Sequence, residues 1–140
     1  MTILLLSLED AFRSRLSEGF LGSFHPQLNI ITAGTRPLSE IHLSTDQLLY
    51  ESFIKSSKRA PQHVEKWRDQ HLDYLLILCE QAEVHIPQWL IEQASQVRKI
   101  YFPTLDKKLR FETDADTFRK LRDTIKQKMF LFFKELSAIP

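Results

Sequence analysis

Ser7, Arg13 and Ser14 bracket a short loop, Ser7-Leu8-Glu9-Asp10-Ala11-Phe12-Arg13-Ser14, that leaves an apolar run and enters a stretch with helical spacing. Those residues suit the handling of a tetrahedral oxyanion. An arginine offers a planar fork of donors that matches such an anion, and the free amides of a helix N-terminus attract the same charge. A serine hydroxyl such as that of Ser7 attacks only when an adjacent base takes its proton. No neighbouring residue in the sequence supplies that base. Glu9 and Asp10 oppose an anion directly. A carboxylate about 4 Å from it costs up to about 4 kcal/mol at an effective dielectric near 20, against roughly 1.5–3 kcal/mol gained from each charge-assisted bond. Side chains of such a loop turn outward while its amides turn in, which lowers that penalty. Weak binding of phosphate, sulfate or arsenate, or none, is the expectation. Arg13 reads equally well as a first-turn arginine paired with Glu9 or Asp10, and Ser14 as a local backbone partner.

Other chemistries are excluded by residue type. Cys79 is the only cysteine among 140 residues, so an internal disulfide, a CxxC pair and a cysteine-rich zinc site cannot form. At the end of an apolar run it reads as a buried, inert thiol. The five histidines, His25, His42, His63, His71 and His85, lack HExxH or comparable spacing, so surface or capping roles are expected and no metal site. Gly19, Gly22 and Gly34 form no glycine-rich nucleotide fingerprint, and no cofactor is expected. Net charge is +1, which argues against a nucleic-acid binder, yet residues 1–96 hold 8 Lys/Arg against 12 Asp/Glu while residues 97–128 hold 10 against 5. Most such runs are solvated helix faces. The apolar run Ile3 to Leu6 is too short to span a membrane and has no basic region before it, so a cytoplasmic location is the expectation.

The loop must be positioned by its flanking elements. Thr2 to Leu6 is a continuous apolar run, as in a strand buried on both faces. Phe12, Leu16, Phe20 and Leu21 then recur at helical spacing. Gln27 to Thr32 predicts a second strand, Leu38 to Phe53 a helical stretch, and Asp73 to Cys79 a third strand. Pro61 stands where a helix could start, and Pro87 to Ile91 opens another. Val97 to Phe102 reads as a fourth strand, and from Asp114 an i, i+3/i+4 stripe runs through Phe118, Leu121, Ile125, Met129, Phe132 and Leu136. Trp67, Trp89 and Tyr101 read as core or rim packing. Phe130, Phe132 and Phe133 cannot all face one core, which points to a partner, such as a second copy, or to a second packed surface. Alternation of strands and helices predicts one α/β domain over residues 1–140, a parallel sheet covered on both faces. In such a sheet ligands bind beyond the carboxyl ends of the strands, where the Ser7 loop lies.

This arrangement resembles the low-molecular-weight protein tyrosine phosphatases and the thioredoxin-coupled arsenate reductases, whose loop is Cys, five residues, Arg, Ser directly after the first strand. ILLLSLEDAFRSRLSEGFL is similar to the family start, TAGTRP at Thr32 to Pro37 to its Ser-Ala-Gly-Thr segment, and Leu76 to Cys79 with Ala82 and Pro87 to the reductases' Cys-x-x-Ala, then Cys-Pro. Phe118-Arg119, Arg122-Asp123 and Ile125 resemble the last helix. The resemblance implies a three-layer fold with four parallel strands in the order 2-1-3-4. It also implies an anion-binding set of Ser7, Glu9, Asp10, Arg13 and Ser14.

The departures fall on the catalytic parts. Ser7 stands where the family has its nucleophilic cysteine. With Phe102-Pro103 in register with the family's aromatic-Pro, Thr104-Leu105 replaces the Asp-Pro that carries the general acid, and Asp106 could substitute only in a rebuilt loop. Of the reductases' three cysteines only the middle one survives, as Cys79, with Ser7 and Ile86 at the other two, and one thiol cannot complete the relay. Glu9 and Asp10 fall where the family favours Gly and Asn, so a distorted, degenerate loop is expected. The expectation is an inactive member, a pseudoenzyme, acting through binding or regulation. The alternative is an active phosphatase or arsenate reductase built around Ser7 and Asp106.

Overall fold

The computed structural model describes residues 1–104 and 108–138. Its elements run β1 (Thr2–Ser7), α1 (Arg13–Phe24), β2 (Asn29–Gly34), α2 (Leu43–Tyr50), a 3-10 turn (Val64–Trp67), β3 (Leu72–Ile77), α3 (Glu80–Glu83), α4 (Gln88–Gln93), β4 (Ala94–Lys99) and α5 (Phe111–Ser137). The four strands pair in parallel in the order β2-β1-β3-β4, as the resemblance implied. Pleating sends alternate residues to opposite faces, and both faces are apolar. Ile3, Leu5, Tyr74 and Leu76 join Leu16, Phe20, Leu48, Phe118, Ile125 and Met129 beneath α1, α2 and α5. Leu4, Leu6, Leu75 and Ile77 join Val64, Cys79, Ala82 and Leu90 beneath the 3-10 turn, α3 and α4. The result is the expected three layers, the second face covered by short elements only. No helix among the described residues is long and apolar enough to cross a membrane.

Two elements differ from their expected bounds. β4 runs from Ala94 to Lys99, three residues earlier than Val97 to Phe102. It is the edge strand and mostly exposed, so its apolar residues cluster after it, where Ile100 N donates to Ile77 O and buried Phe102 N to Leu78 O. α2 starts at Leu43 rather than near Leu38, because the segment before it bonds to the Ser7 loop. Pro61 opens no helix; the chain makes a 3-10 turn from Val64. His42 and His63 cap α2 and that turn, each Nδ1 accepting a backbone amide. Trp67 and Trp89 pack at the rim of the second face. Phe132 is buried in the core and Phe133 packs with Phe24 at the edge of that same cluster, while Phe130 meets Phe24 and stays exposed.

α5 is tied to α2 by one carboxylate. Glu51 accepts from Arg119 Nε at 3.0 Å and Nη2 at 2.7 Å, and from Arg122 Nη1 at 2.5 Å. The hydrogen bonds from Arg119, then those from Arg122, hold its pKa at about 2, below the ordinary 4.5. A depressed carboxylate stabilises the fold above its unfolded value, and that contribution is lost as pH falls through the folded value. Glu51→Gln is therefore expected to cost about 1 kcal/mol near neutral pH, the scale of a partly exposed pair. Denaturant melts should show the gap closing as pH falls toward 2.

Candidate active site

The loop is fixed by its carbonyls. Thr35 N donates to Ser7 O (3.3 Å), Arg36 N to Leu8 O (2.7 Å), Leu38 N to Glu9 O (3.1 Å) and His42 N to Ala11 O (2.8 Å), and Thr45 Oγ1 reaches Ala11 O at 3.0 Å. A trans peptide points the next N–H opposite to each carbonyl. The amides of Leu8, Glu9, Asp10 and Phe12 are thus turned away from the 35–45 segment. That of Asp10 lies 3.0 Å from Ser7 Oγ. α1 begins at Arg13, and its N-cap residue Phe12 places no side-chain acceptor on the helix amides.

Asp10 supports this shape. It holds the loop's left-handed residue, with φ of 51°; aspartate tolerates that region better than most residues. Among the described residues Glu9 does not share that conformation, so the distortion expected there does not arise. The Asp10 carboxylate is fully buried, accepting from Ser14 Oγ at 2.7 Å and Gln62 N at 2.8 Å. Asp10 therefore brings its amide to Ser7 while its carboxylate turns to Ser14 and Gln62. Ser14 acts through Asp10. Burial pushes the Asp10 carboxyl above its ordinary 3.8, with Ser14, Gln62 and Arg15 opposing. A raised carboxylate stabilises the fold below its unfolded pKa and progressively less as pH rises through the folded one. Asp10→Asn keeps an acceptor for Gln62 N and lets the Ser14 hydroxyl reverse. It is expected to melt above the parent near neutral pH, the difference shrinking in acid; a difference independent of pH would contradict this.

Arg13 is held by neither Asp10 nor the loop. Its Nη1 donates to Phe102 O at 3.2 Å and to Thr104 Oγ1 at 3.1 Å, and the residue is 7% exposed. These bonds occupy one corner of the guanidinium. Nε and Nη2, which form the opposite, side-on edge, donate to no acceptor among the described residues. The segment that sequence matching placed at the family's acid therefore contributes a carbonyl and a hydroxyl to the arginine. Asp106 lies outside the described residues.

At Ser7 Oγ the one hydrogen bond among the described residues is that from the Asp10 amide. An amide donor stabilises an oxyanion but cannot take a proton. Cys79 is fully buried, as expected, and no group of three or more potential metal ligands occurs among the described residues. The bonds of Arg13 to Phe102 O and Thr104, and of Gln62 to Asp10, were not readable, because the partners lie far apart in sequence. A second buried arginine was also missed. Arg15 donates from Nη2 to Ser57 Oγ at 2.8 Å and Arg59 O at 2.7 Å, and Arg59 pairs with Glu18. Ser57 and Arg59 thus fasten this side of α1.

The family model described as low molecular weight phosphotyrosine protein phosphatase matches residues 2–139. The chain belongs to that family. Solved structures agree with this fold. A YwlE mutant from Bacillus subtilis is 16% identical with a TM-score of 0.80, covering 99% of each chain. An arsenate reductase in the phosphate-binding state is 16% identical with a TM-score of 0.76, covering 96% of this chain and 97% of its own. A cysteine-to-serine mutant of the YwlE arginine phosphatase, with phosphorylated active-site serine, is 18% identical with a TM-score of 0.76, covering 99% and 97%. No curated protein matches the sequence.

Proposed function

We propose that this chain is a family member that keeps oxyanion recognition and has given up turnover, binding a phosphate group on a protein or small molecule without hydrolysing it. The observation that carries the reading is the Asp10 amide on a Ser7 hydroxyl for which the described residues supply no base, beside an Arg13 edge that donates to none of them. Inorganic phosphate, sulfate and arsenate share the tetrahedral shape and are the simplest ligands. The removal of the Asp10 carboxylate from the loop interior supports binding stronger than sequence alone suggests. Arsenate reduction is disfavoured, since the single thiol is buried on the second face of the sheet. On this reading the protein works in the cytoplasm as a binding or regulatory protein.

A second reading is favoured by one comparison. The solved YwlE arginine phosphatase mutant carries phosphate on its active-site serine, so a serine in such a loop can hold a phosphoryl group. On that reading Ser7 is a slow nucleophile and the protein an atypical phosphatase. Assays with an aryl phosphate, and with arsenate plus thioredoxin, separate the two. Binding without product supports the proposal. Turnover that disappears in Ser7→Ala would replace it with the second reading.

A further inference from the structure

Thr104 is an exposed residue whose hydroxyl meets a buried guanidinium, and the segment that carries it is stiff. The Phe102 ring is buried in the core, and its amide donates to Leu78 O at the end of β3. Pro103 fixes its own φ and confines Phe102 to extended conformations. Phe102 O and Thr104 Oγ1 thus form a two-point bracket, 3.2 Å and 3.1 Å from a single nitrogen of Arg13.

We propose that Thr104 is a positioning residue for the anion clamp, setting the guanidinium plane so that the Nε–Nη2 edge is left for the ligand. The proposal rests on the oxyanion-binding reading and deepens it. Two acceptors on one nitrogen, joined through a rigid backbone, oppose both rotation and withdrawal of the planar group, and the ordering cost is met before the ligand arrives. Both acceptors are neutral. A carboxylate in this bracket would hold Arg13 equally well but would cancel the charge that attracts an anion; a hydroxyl leaves that charge to the ligand. The position that lacks the family's acid therefore has a different use here, in holding the arginine.

The test is calorimetric titration of the intact protein with inorganic phosphate, in the parent, Thr104→Val and Thr104→Ser. Valine keeps the shape and removes the acceptor, while serine keeps the acceptor. The expected result is affinity weakened about three- to tenfold in Thr104→Val, the scale of one ordinary hydrogen bond, with Thr104→Ser close to the parent. Equal affinity in the parent and Thr104→Val overturns the positioning role and leaves the binding reading intact. Equal weakening in both variants also overturns it, since the loss would then follow packing and not the hydroxyl. A parent that binds no phosphate overturns the binding reading and this inference together.

Discussion

Gly34→Ala is expected to lower the melting temperature by roughly 10 °C and to weaken phosphate binding together with it. Gly34 ends β2, and its φ lies outside the left-handed region, so conformational freedom is not what it supplies. It supplies space. A Cβ built there would stand 2.7 Å from Leu8 O and 3.0 Å from both Asp10 N and Glu9 C. All three are backbone atoms of the oxyanion loop, and none can swing aside as a flexible side chain would. Leu8 O already accepts from Arg36 N, Glu9 O from Leu38 N, and Gly34 N donates to Gln62 O, whose residue in turn bonds Asp10. Relief of the clash must therefore break bonds that shape the loop, and a cost of about 3 kcal/mol follows from overpacking a closed site. Thermal melts and phosphate titrations of the same sample check both halves. A variant that melts within a degree or two of the parent and binds equally would show that the loop yields cheaply.

Arg13→Ala is expected to weaken phosphate binding by roughly 100-fold, the worth of two charge-assisted bonds at about 1.5 kcal/mol each. Arg13→Lys should restore little of it, since an ammonium is a point charge that cannot bond through a side-on edge while another nitrogen stays in the Phe102–Thr104 bracket. The measurement is the dissociation constant for inorganic phosphate in the parent and both variants, beside a thermal melt to confirm folding. Arg13→Lys within tenfold of the parent would show that charge alone suffices and that the fork geometry is unimportant.

The elements around the site were largely legible. β1 is a two-faced apolar run, and α5 carries its stripe from Phe118 to Leu136 on the buried side. The place of the loop followed from the parallel sheet. What sequence could not show is how tertiary bonds override local pattern. Leu38 and Ile41 share the apolar spacing that reads as helix, yet Arg36, Leu38 and His42 spend their amides on the loop's carbonyls, so α2 waits until Leu43. β4 misled because an edge strand needs no apolar alternation. Asp10 looked like an obstacle to an anion because type and spacing do not reveal direction; one left-handed residue turns its carboxylate toward Ser14 and Gln62 and its amide toward Ser7. Arg13 was open to two readings for a similar reason. Its acceptors stand 89 and 91 residues further on, beyond any local signal.

The central claim, recognition without turnover, is tested most directly by phosphorus NMR of phenyl phosphate titrated with the intact protein. One spectrum reads the bound ester by its shift or broadening and reads chemistry by the inorganic phosphate released. A saturable change in the ester signal and no growth of inorganic phosphate over hours are expected. Inorganic phosphate that accumulates with the parent and fails to appear with Ser7→Ala would contradict it, as would an ester signal that the protein leaves unchanged.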